Sequence, residues 1–261
     1  MKAILVVVTF ILSMNLASAN AAPLSSPDQD VHATLMPFLD ALAQPPSGAA
    51  RAFQIHGRVE AVAGVSFDSE QPQFELAVEA PGRMRLQFPL GNTLIVACRN
   101  QQRIWASPGA QIQALLAALP GPSKGVQLRP IQIPFTGKQL EIIPSLLQIQ
   151  SKGDSPLDGT PCRVVDIRLL PQLALLLPPN LEGWALRMWI SPQNRPARLG
   201  IQRPGGSAVI RVDGVHFAPS LPPELWQAPA DAVEIPAARL QALLDLLGQS
   251  WPKAAAGPRP N

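Results

Sequence analysis

The sequence contains no tyrosine, and aromatic and charged residues are scarce. Aromatic residues make up 5% of the 261 residues, and Asp, Glu, Lys and Arg together make up 15%. Sites for single-stranded nucleic acids use aromatic side chains as stacking platforms, so this composition argues against such a site. The formal net charge of +3 is also too small to predict a nucleic acid as partner. Apolar residues make up 47%, which is enough to form a substantial core.

Residues that usually perform catalysis or bind metal ions are scarce as well. None of the three histidines, His32, His56 and His216, has a second histidine or a cysteine at metal-ligand spacing. No serine lies in a nucleophile elbow. Asp166 and Asp213 are single carboxylates on predicted strands, and their spacing does not support an acid–base pair. We therefore expect no catalytic residue, no metal and no cofactor, and a hydrolase that uses the two aspartates is the weakest of three hypotheses.

Only two cysteines are present, Cys98 and Cys162. In an exported chain two cysteines fit one disulfide, which we expect here. Such a bond would stabilise the fold by roughly 4 kcal/mol on the chain-entropy model. The alternative is that both residues are buried thiols.

After the N-terminal segment, no hydrophobic run is long enough to cross a bilayer as a helix, which takes ~20 residues. The N-terminal segment itself has the pattern of a secretory signal peptide. Lys2 supplies a positive charge, Ala3–Leu12 is apolar, and small residues up to Ala21 form a cleavage site. We expect cleavage near Ala21 and export of the remaining chain; an uncleaved anchor is the alternative.

Alternation of apolar and polar residues predicts a meander of four antiparallel strands between Phe74 and Trp105. One face of such a meander is apolar and the other is polar. The same pattern predicts five more strands, at Phe53–Ala61, at Cys162–Leu169, at Trp184–Ile190, around Leu199 and Ile201, and at Ser207–Phe217. Gly153–Thr160 is predicted to be a turn-rich break between elements.

Helices are predicted on either side of the strands. Ser26 begins a helix whose apolar stripe includes Leu35 and Leu39, Ala110–Leu119 forms a second, and Leu240–Leu247 belongs to a third. The predicted fold class is mainly β, with one large curved antiparallel sheet and short helices over its concave face. The predicted organisation is a signal peptide at 1–21, a lid helix and linker at 22–50, a sheet domain with helical inserts at 51–230, a C-terminal helix at 231–252 and a flexible tail at 253–261.

Five arginines crowd one region of the chain: Arg83, Arg85, Arg99, Arg103 and Arg129. Alternation places most of them on the solvated face of the sheet, where they favour solubility. The alternative is a surface that meets anionic lipid headgroups or an acidic partner.

Six short motifs follow one another along the chain in the order in which a known family carries them. They are Pro81–Phe88, Leu94–Val96, Asn100–Arg103, Ile104–Ala106, Gly159–Val165 and Trp184–Ser191. The first four resemble the superfamily of the periplasmic carrier of outer-membrane lipoproteins, the LolA-like proteins. The last two are similar to an uncharacterised exported branch thought to share that fold. The resemblance spans roughly Phe53 to Pro229.

The resemblance implies an unclosed antiparallel β-barrel with helices as a lid over a hydrophobic cavity. It also implies a periplasmic location and a ligand that is a lipid or the acyl chains of a lipoprotein. In the lipoprotein carrier, an arginine just before the strand-breaking proline holds the lid shut. Here that position is Ala80, so the sequence departs from the family at the latch.

The main hypothesis is therefore a monomeric periplasmic carrier or sensor of a hydrophobic ligand. The inward residues predicted to line its cavity are Ile55, Val59, Leu76, Val78, Met84, Leu86, Phe88, Leu186, Met188 and Ile190, and the predicted lid residues are Leu35, Leu39, Leu175 and Leu176. A one-residue error in strand register would move each lining residue to the other face. The second hypothesis is an envelope interaction module with a filled core, which docks an inner- or outer-membrane protein through its C-terminal helix or its arginines.

Overall fold

A computed structural model describes residues 26–43, 51–62, 65–66, 71–90, 93–119, 131, 140, 145–170, 183–203, 206–236 and 239. Helix α1 comprises Ser26–Leu42 and helix α2 Gly109–Ala117, and Pro223–Trp226 forms a 3-10 turn. The strands are β1 Ala52–Val62, β2 Val65–Ser66, β3 Gln73–Glu79, β4 Arg83–Leu90, β5 Thr93–Asn100, β6 Arg103–Ser107, β7 Leu147–Leu157, β8 Thr160–Leu169, β9 Ala185–Ile190, β10 Pro196–Arg203, β11 Gly206–Ala218 and β12 Val233–Glu234. The predicted signal peptide, Leu175, Leu176, the Leu240–Leu247 helix and the tail lie outside the described residues.

The twelve strands form one sheet in the order β12-β6-β5-β4-β3-β1-β11-β10-β9-β8-β7, and β2 pairs with β1 beside this path. Every pairing among these strands is antiparallel. The end strands β12 and β7 do not pair with each other within the described residues, so the sheet is open. The predicted fold class, a large unclosed antiparallel sheet with short helices, is confirmed.

Strand β1 shows how the sequence positions the two faces of the sheet. Phe53, Ile55 and Val59 are buried, whereas His56 and Arg58 are exposed, as a period of two residues requires. At Gly57 the pairing with β11 shifts register by a bulge. An added Cβ at Gly57 would lie 2.1 Å from the carbonyl oxygen of Arg211, so only glycine fits this approach.

Helix α1 packs across the sheet and defines its inner face. It contacts β1, β9 and β7, and a helix of 17 residues is about 25 Å long, which is enough to reach across several strands. The helix continues through Pro37. Among the described residues, no helix is both long enough and apolar enough to cross a membrane.

Two apolar clusters lie between the sheet and α1. The larger one contains Leu39 and Leu42 of the helix together with residues of the first meander and of β10 and β11. The smaller one contains Val31 of the helix with residues of β7, β8 and β9. The two ends of the same helix thus cover the two halves of the sheet.

A third cluster lies on the outer face, which the sequence analysis did not predict. The segment after β11 crosses this face, where Leu221 and Trp226 pack with Cys98 and Trp105. The segment then pairs with β6 as strand β12. The sheet therefore extends past the predicted boundary at residue 230.

The predicted number of strands was too small because β2, β7 and β12 were missed, and β7 is the longest of the three. Gly153–Thr160, predicted as a break, is mostly strand: β7 runs to Leu157 and pairs with β8 through a bulge between Ser151 and Asp154. The turn itself is confined to Asp158 and Gly159, whose φ angles are 50° and 77°. Gly153 is one reason why this segment was predicted as a break. The structure places it in the bulge, inside the strand, with a φ of 82°.

The predicted disulfide is wrong. Cys98 and Cys162 are both free and buried. They lie in β5 and β8, and six other strands separate these two in the sheet order. Adjacent strands lie about 4.8 Å apart, so the two cysteines are several strand spacings apart along the sheet. A disulfide requires Cα atoms within about 7 Å of each other. Buried thiols, the alternative interpretation, are what the structure contains.

Candidate functional site

The ten residues predicted to line a cavity all lie in the two inner clusters or pack against them. Eight of them are buried, and Met84 and Leu186 are half-buried. Strand pairing brings Ile55, Leu76 and Leu86 side by side across three strands. All ten residues therefore lie on the inner face of the sheet, the face that alternation assigns to them. That these residues contact a ligand stays a prediction.

Helix α1 presents the two described lid residues to this face. Leu39 is 2% exposed in the larger cluster, whereas Leu35 is half-buried and packs against both clusters. Phe38, which the sequence analysis did not select, packs edge-on against Phe53 and Phe217, with ring centroids 5.0 and 4.9 Å away. The aromatic contact fixes the C-terminal half of the helix to the centre of the sheet.

Three half-buried leucines lie at the boundary between the two inner clusters. Leu35 of α1, Leu186 of β9 and Leu199 of β10 each pack against both clusters, and all three are only half-buried. We call these three residues the seam. Within the two clusters, by contrast, Val78 is 0% and Met188 is 2% exposed. Solvent therefore reaches apolar side chains of the inner face where the two clusters meet. Leu199 was not among the predicted lining residues, although its alternation with Arg198 and Gly200 carries the signal.

An ion pair attaches the N-terminal half of α1 to the sheet. Asp30 of the helix pairs with Arg163 of β8, and Arg163 lies opposite Ile190, in an inward-facing row. The hydroxyl of Thr34, which is 2% exposed, donates to the carbonyl oxygen of Asp30 at 2.8 Å. Asp30 thus has a charged partner and the Thr34 hydroxyl a hydrogen-bond acceptor at the inner face.

Most of the clustered arginines are paired with carboxylates on the outer face. Arg83 lies 2.8 Å from Glu79 and Arg85 lies 2.7 Å from Glu75. Arg103 lies 3.0 Å from Glu234, in solvent. Arg129 is outside the described residues. Arg99 differs from these three, because the register places it opposite Met84 and Ile104, which belong to the inner face.

The two aspartates weighed as an acid–base pair are not brought together. Asp166 in β8 and Asp213 in β11 are separated by β9 and β10. Each binds an arginine through both carboxylate oxygens, Asp166 with Arg187 and Asp213 with Arg58. The hydrogen bond from Arg187 holds the pKa of Asp166 below its usual value, so this carboxyl is ionised at neutral pH. Among the residues that the structure describes, no group of three or more His, Cys, Asp or Glu side chains is suited to a metal ion.

No protein-family model and no curated protein matches the chain. Several solved structures do. The lipoprotein LppX from Mycobacterium tuberculosis is 12% identical, with 72% of this chain and 93% of that chain covered and a TM-score of 0.40. LprF from Mycobacterium bovis is 12% identical, with 80% of this chain and all of that chain (100%) covered and a TM-score of 0.40. A LolA superfamily protein from Nitrosomonas europaea is 10% identical, with 78% and 99% covered and a TM-score of 0.29. This is the superfamily that the sequence motifs resemble. The strand order of this chain by itself defines the fold.

Proposed function

We propose that the chain is a carrier or sensor that binds a hydrophobic ligand between the inner face of the sheet and helix α1. The ligand is a lipid or the acyl chains of a lipoprotein. The observation that carries the proposal is the seam, where Leu35, Leu186 and Leu199 stay half-buried although each packs against both apolar clusters. Apolar surface that meets water inside a fold is unfavourable, and a hydrocarbon chain that covers it removes this cost.

Burial alone is sufficient to hold such a ligand. Each methylene group transferred from water to an apolar surface contributes about 0.8 kcal/mol. No bond has to form or break, and we propose that the protein is not an enzyme. The signal-peptide pattern supports a periplasmic location, where a lipid needs a protein shield to cross an aqueous compartment.

The attachment of α1 supports a role for this helix as the cover of the ligand. One end is held by the Asp30–Arg163 ion pair and the other by Phe38. Each half of the sheet thus has its own contact with the helix, and we propose that a ligand enters where one of these contacts opens while the other is kept. The arginine latch that the resemblance would place at Ala80 is not needed for this arrangement.

Native mass spectrometry of protein purified without detergent tests the proposal. We expect a monomer that carries a co-purified lipid, and the organic extract of the same sample should identify the lipid. The second measurement is binding of the neutral dye Nile red, whose fluorescence rises in apolar surroundings. A protein that carries no lipid and does not bind the dye would contradict the proposal and leave the filled-core interaction module.

A pair of variants locates the binding face. Leu199→Gln places an amide at the seam and should weaken Nile red binding severalfold. Leu94→Gln is the matched control, because Leu94 lies on the same sheet but is 42% exposed. Equal effects of the two substitutions would show that the dye binds elsewhere.

A further inference from the structure

Arg99 carries a positive charge on the apolar inner face of the sheet. The residue before it in β5, Cys98, belongs to the outer cluster. Ala97, two residues before Arg99, packs on the larger inner cluster. Its direct neighbours across the strands are Met84 and Ile104. Strand geometry therefore points its side chain to the same side as the predicted lining residues.

This guanidinium has no carboxylate partner among the described residues. Its Nε donates to the carbonyl oxygen of Gln101 at 2.9 Å, which uses one of the five N–H donors of an arginine. Burial lowers the pKa of Arg99, and no nearby carboxylate offsets this effect. Arg83 and Arg103, in contrast, each have an acidic partner.

We propose that Arg99 binds the acidic headgroup of an amphiphile, a carboxylate or a phosphate, while the hydrocarbon chain lies along the inner face. This inference rests on the proposed function and specifies the class of its ligand. A half-buried guanidinium without a counterion attracts an anion strongly, and its two terminal nitrogens match the two oxygens of a carboxylate or phosphate.

The strands give the chain of such a ligand a continuous path. From Arg99 the cross-strand neighbours are Met84, Val78 and Phe53 in turn, and Phe53 packs against Phe38 of α1. Three strand spacings correspond to about 14 Å of apolar surface. The headgroup would thus lie at the Arg99 end and the chain would extend towards the helix.

Displacement of Nile red by two probes of equal chain length tests the inference. Palmitate carries a carboxylate, and cetyl alcohol carries a neutral hydroxyl group. We expect the wild-type protein to bind palmitate about tenfold more tightly, the size of effect that one hydrogen-bonded charge supplies. Arg99→Gln should remove this preference by weakening palmitate alone, and Arg99→Lys should restore part of it.

Arg103→Gln is the matched control, because it removes the same charge from the outer face. Arg103 begins β6, directly after the turn that follows β5. This variant should bind both probes as the wild type does. Inorganic phosphate should not displace the dye, since it lacks a chain; displacement by phosphate would overturn the amphiphile as ligand. A pH titration of the wild-type protein adds a test without any substitution, because the preference should vanish once the palmitate carboxyl is protonated.

The outcomes separate this inference from the proposed function. If both probes displace Nile red equally from the wild-type protein, the proposed function stands and the role of Arg99 is wrong. If Arg99→Gln weakens both probes to the same extent, Arg99 supports only the turn at Gln101, and the inference is again wrong. If neither probe displaces the dye, both are wrong.

Discussion

Asp166 of β8 accepts two hydrogen bonds from Arg187 of β9, at 2.6 Å from Nε and 2.9 Å from Nη2. The two residues are direct cross-strand neighbours on the outer face. The Asp166 side chain is 15% exposed, and Lys152 lies 3.6 Å away. The carboxylate is therefore held between two cations, and the hydrogen bond from Arg187 is the main reason why its pKa lies below the ordinary value of 3.8.

We expect Asp166→Asn to lower the free energy of unfolding by about 1 kcal/mol at neutral pH, because a charge-assisted bidentate pair is lost. The pKa of Asp166 is lower in the folded than in the unfolded protein. Its stabilising contribution is therefore fully present at pH values above the pKa of the unfolded state. It disappears as the pH falls through the folded value. Urea unfolding between neutral pH and pH about 3 should show wild type and variant converging at the acidic end.

Asp213→Asn is the control for this experiment. Asp213 also forms a bidentate pair, with Arg58, but both side chains are more than 40% exposed. Water screens this pair, so the substitution should change stability far less. Equal losses in the two variants would contradict the explanation from burial.

The inner face of the sheet could be predicted from the sequence because period-two alternation is a local signal. The pattern in β1, β3 and β4 requires no knowledge of which strands are neighbours, and Ile55, Leu76 and Leu86 indeed share one row. The order of the first meander follows from its short turns. The position of α1 over this face follows from its apolar stripe.

The features that sequence reasoning missed depend on distant residues. Strand β7 contains Gly153 and Pro156, which are typical of breaks, and only its pairing with β8 makes it a strand. The outer cluster depends on Trp226, which comes from a segment without periodicity. The distance between Cys98 and Cys162 follows from the strand order, and the number of cysteines gives no information about that order. In the same way, the lack of a carboxylate beside Arg99 among the described residues depends on which face each carboxylate occupies.

Gly57 provides a prediction about the bulge in β1. Gly57→Ala should lower the free energy of unfolding by about 1–3 kcal/mol, because the new methyl group would overlap the carbonyl oxygen of Arg211. Gly214→Ala is the matched control in the facing strand, since an added Cβ there meets nothing within 4 Å. Thermal unfolding of both variants measures the difference. A tolerated Gly57→Ala would show that β1 and β11 separate more easily than their pairing implies.

The free thiols predict that a reducing agent has no effect on stability. Dithiothreitol should leave the Tm of the protein unchanged, whereas reduction of a disulfide worth roughly 4 kcal/mol would lower it by several degrees. Alkylation in denaturant without a reducing agent should modify both Cys98 and Cys162, as read from the intact mass. A chain that takes up the reagent only after reduction would contain the bond after all.

Trp226 is 3% exposed and shares the outer cluster with Cys98, which is 1% exposed. Burial raises the pKa of Cys98 to about 12, so its thiol should react very slowly with Ellman's reagent at neutral pH. In a Cys162→Ser background, Trp226→Ala should accelerate this reaction at least tenfold, because it removes the side chain that covers the cluster. Trp226→Phe is the control: it keeps a ring over Cys98 and deletes an indole N–H that has no hydrogen-bond partner in the described part of the chain. Circular dichroism confirms that each variant is folded. If Trp226→Ala leaves the thiol unreactive in a folded protein, the segment after β11 does not control access to this face of the sheet.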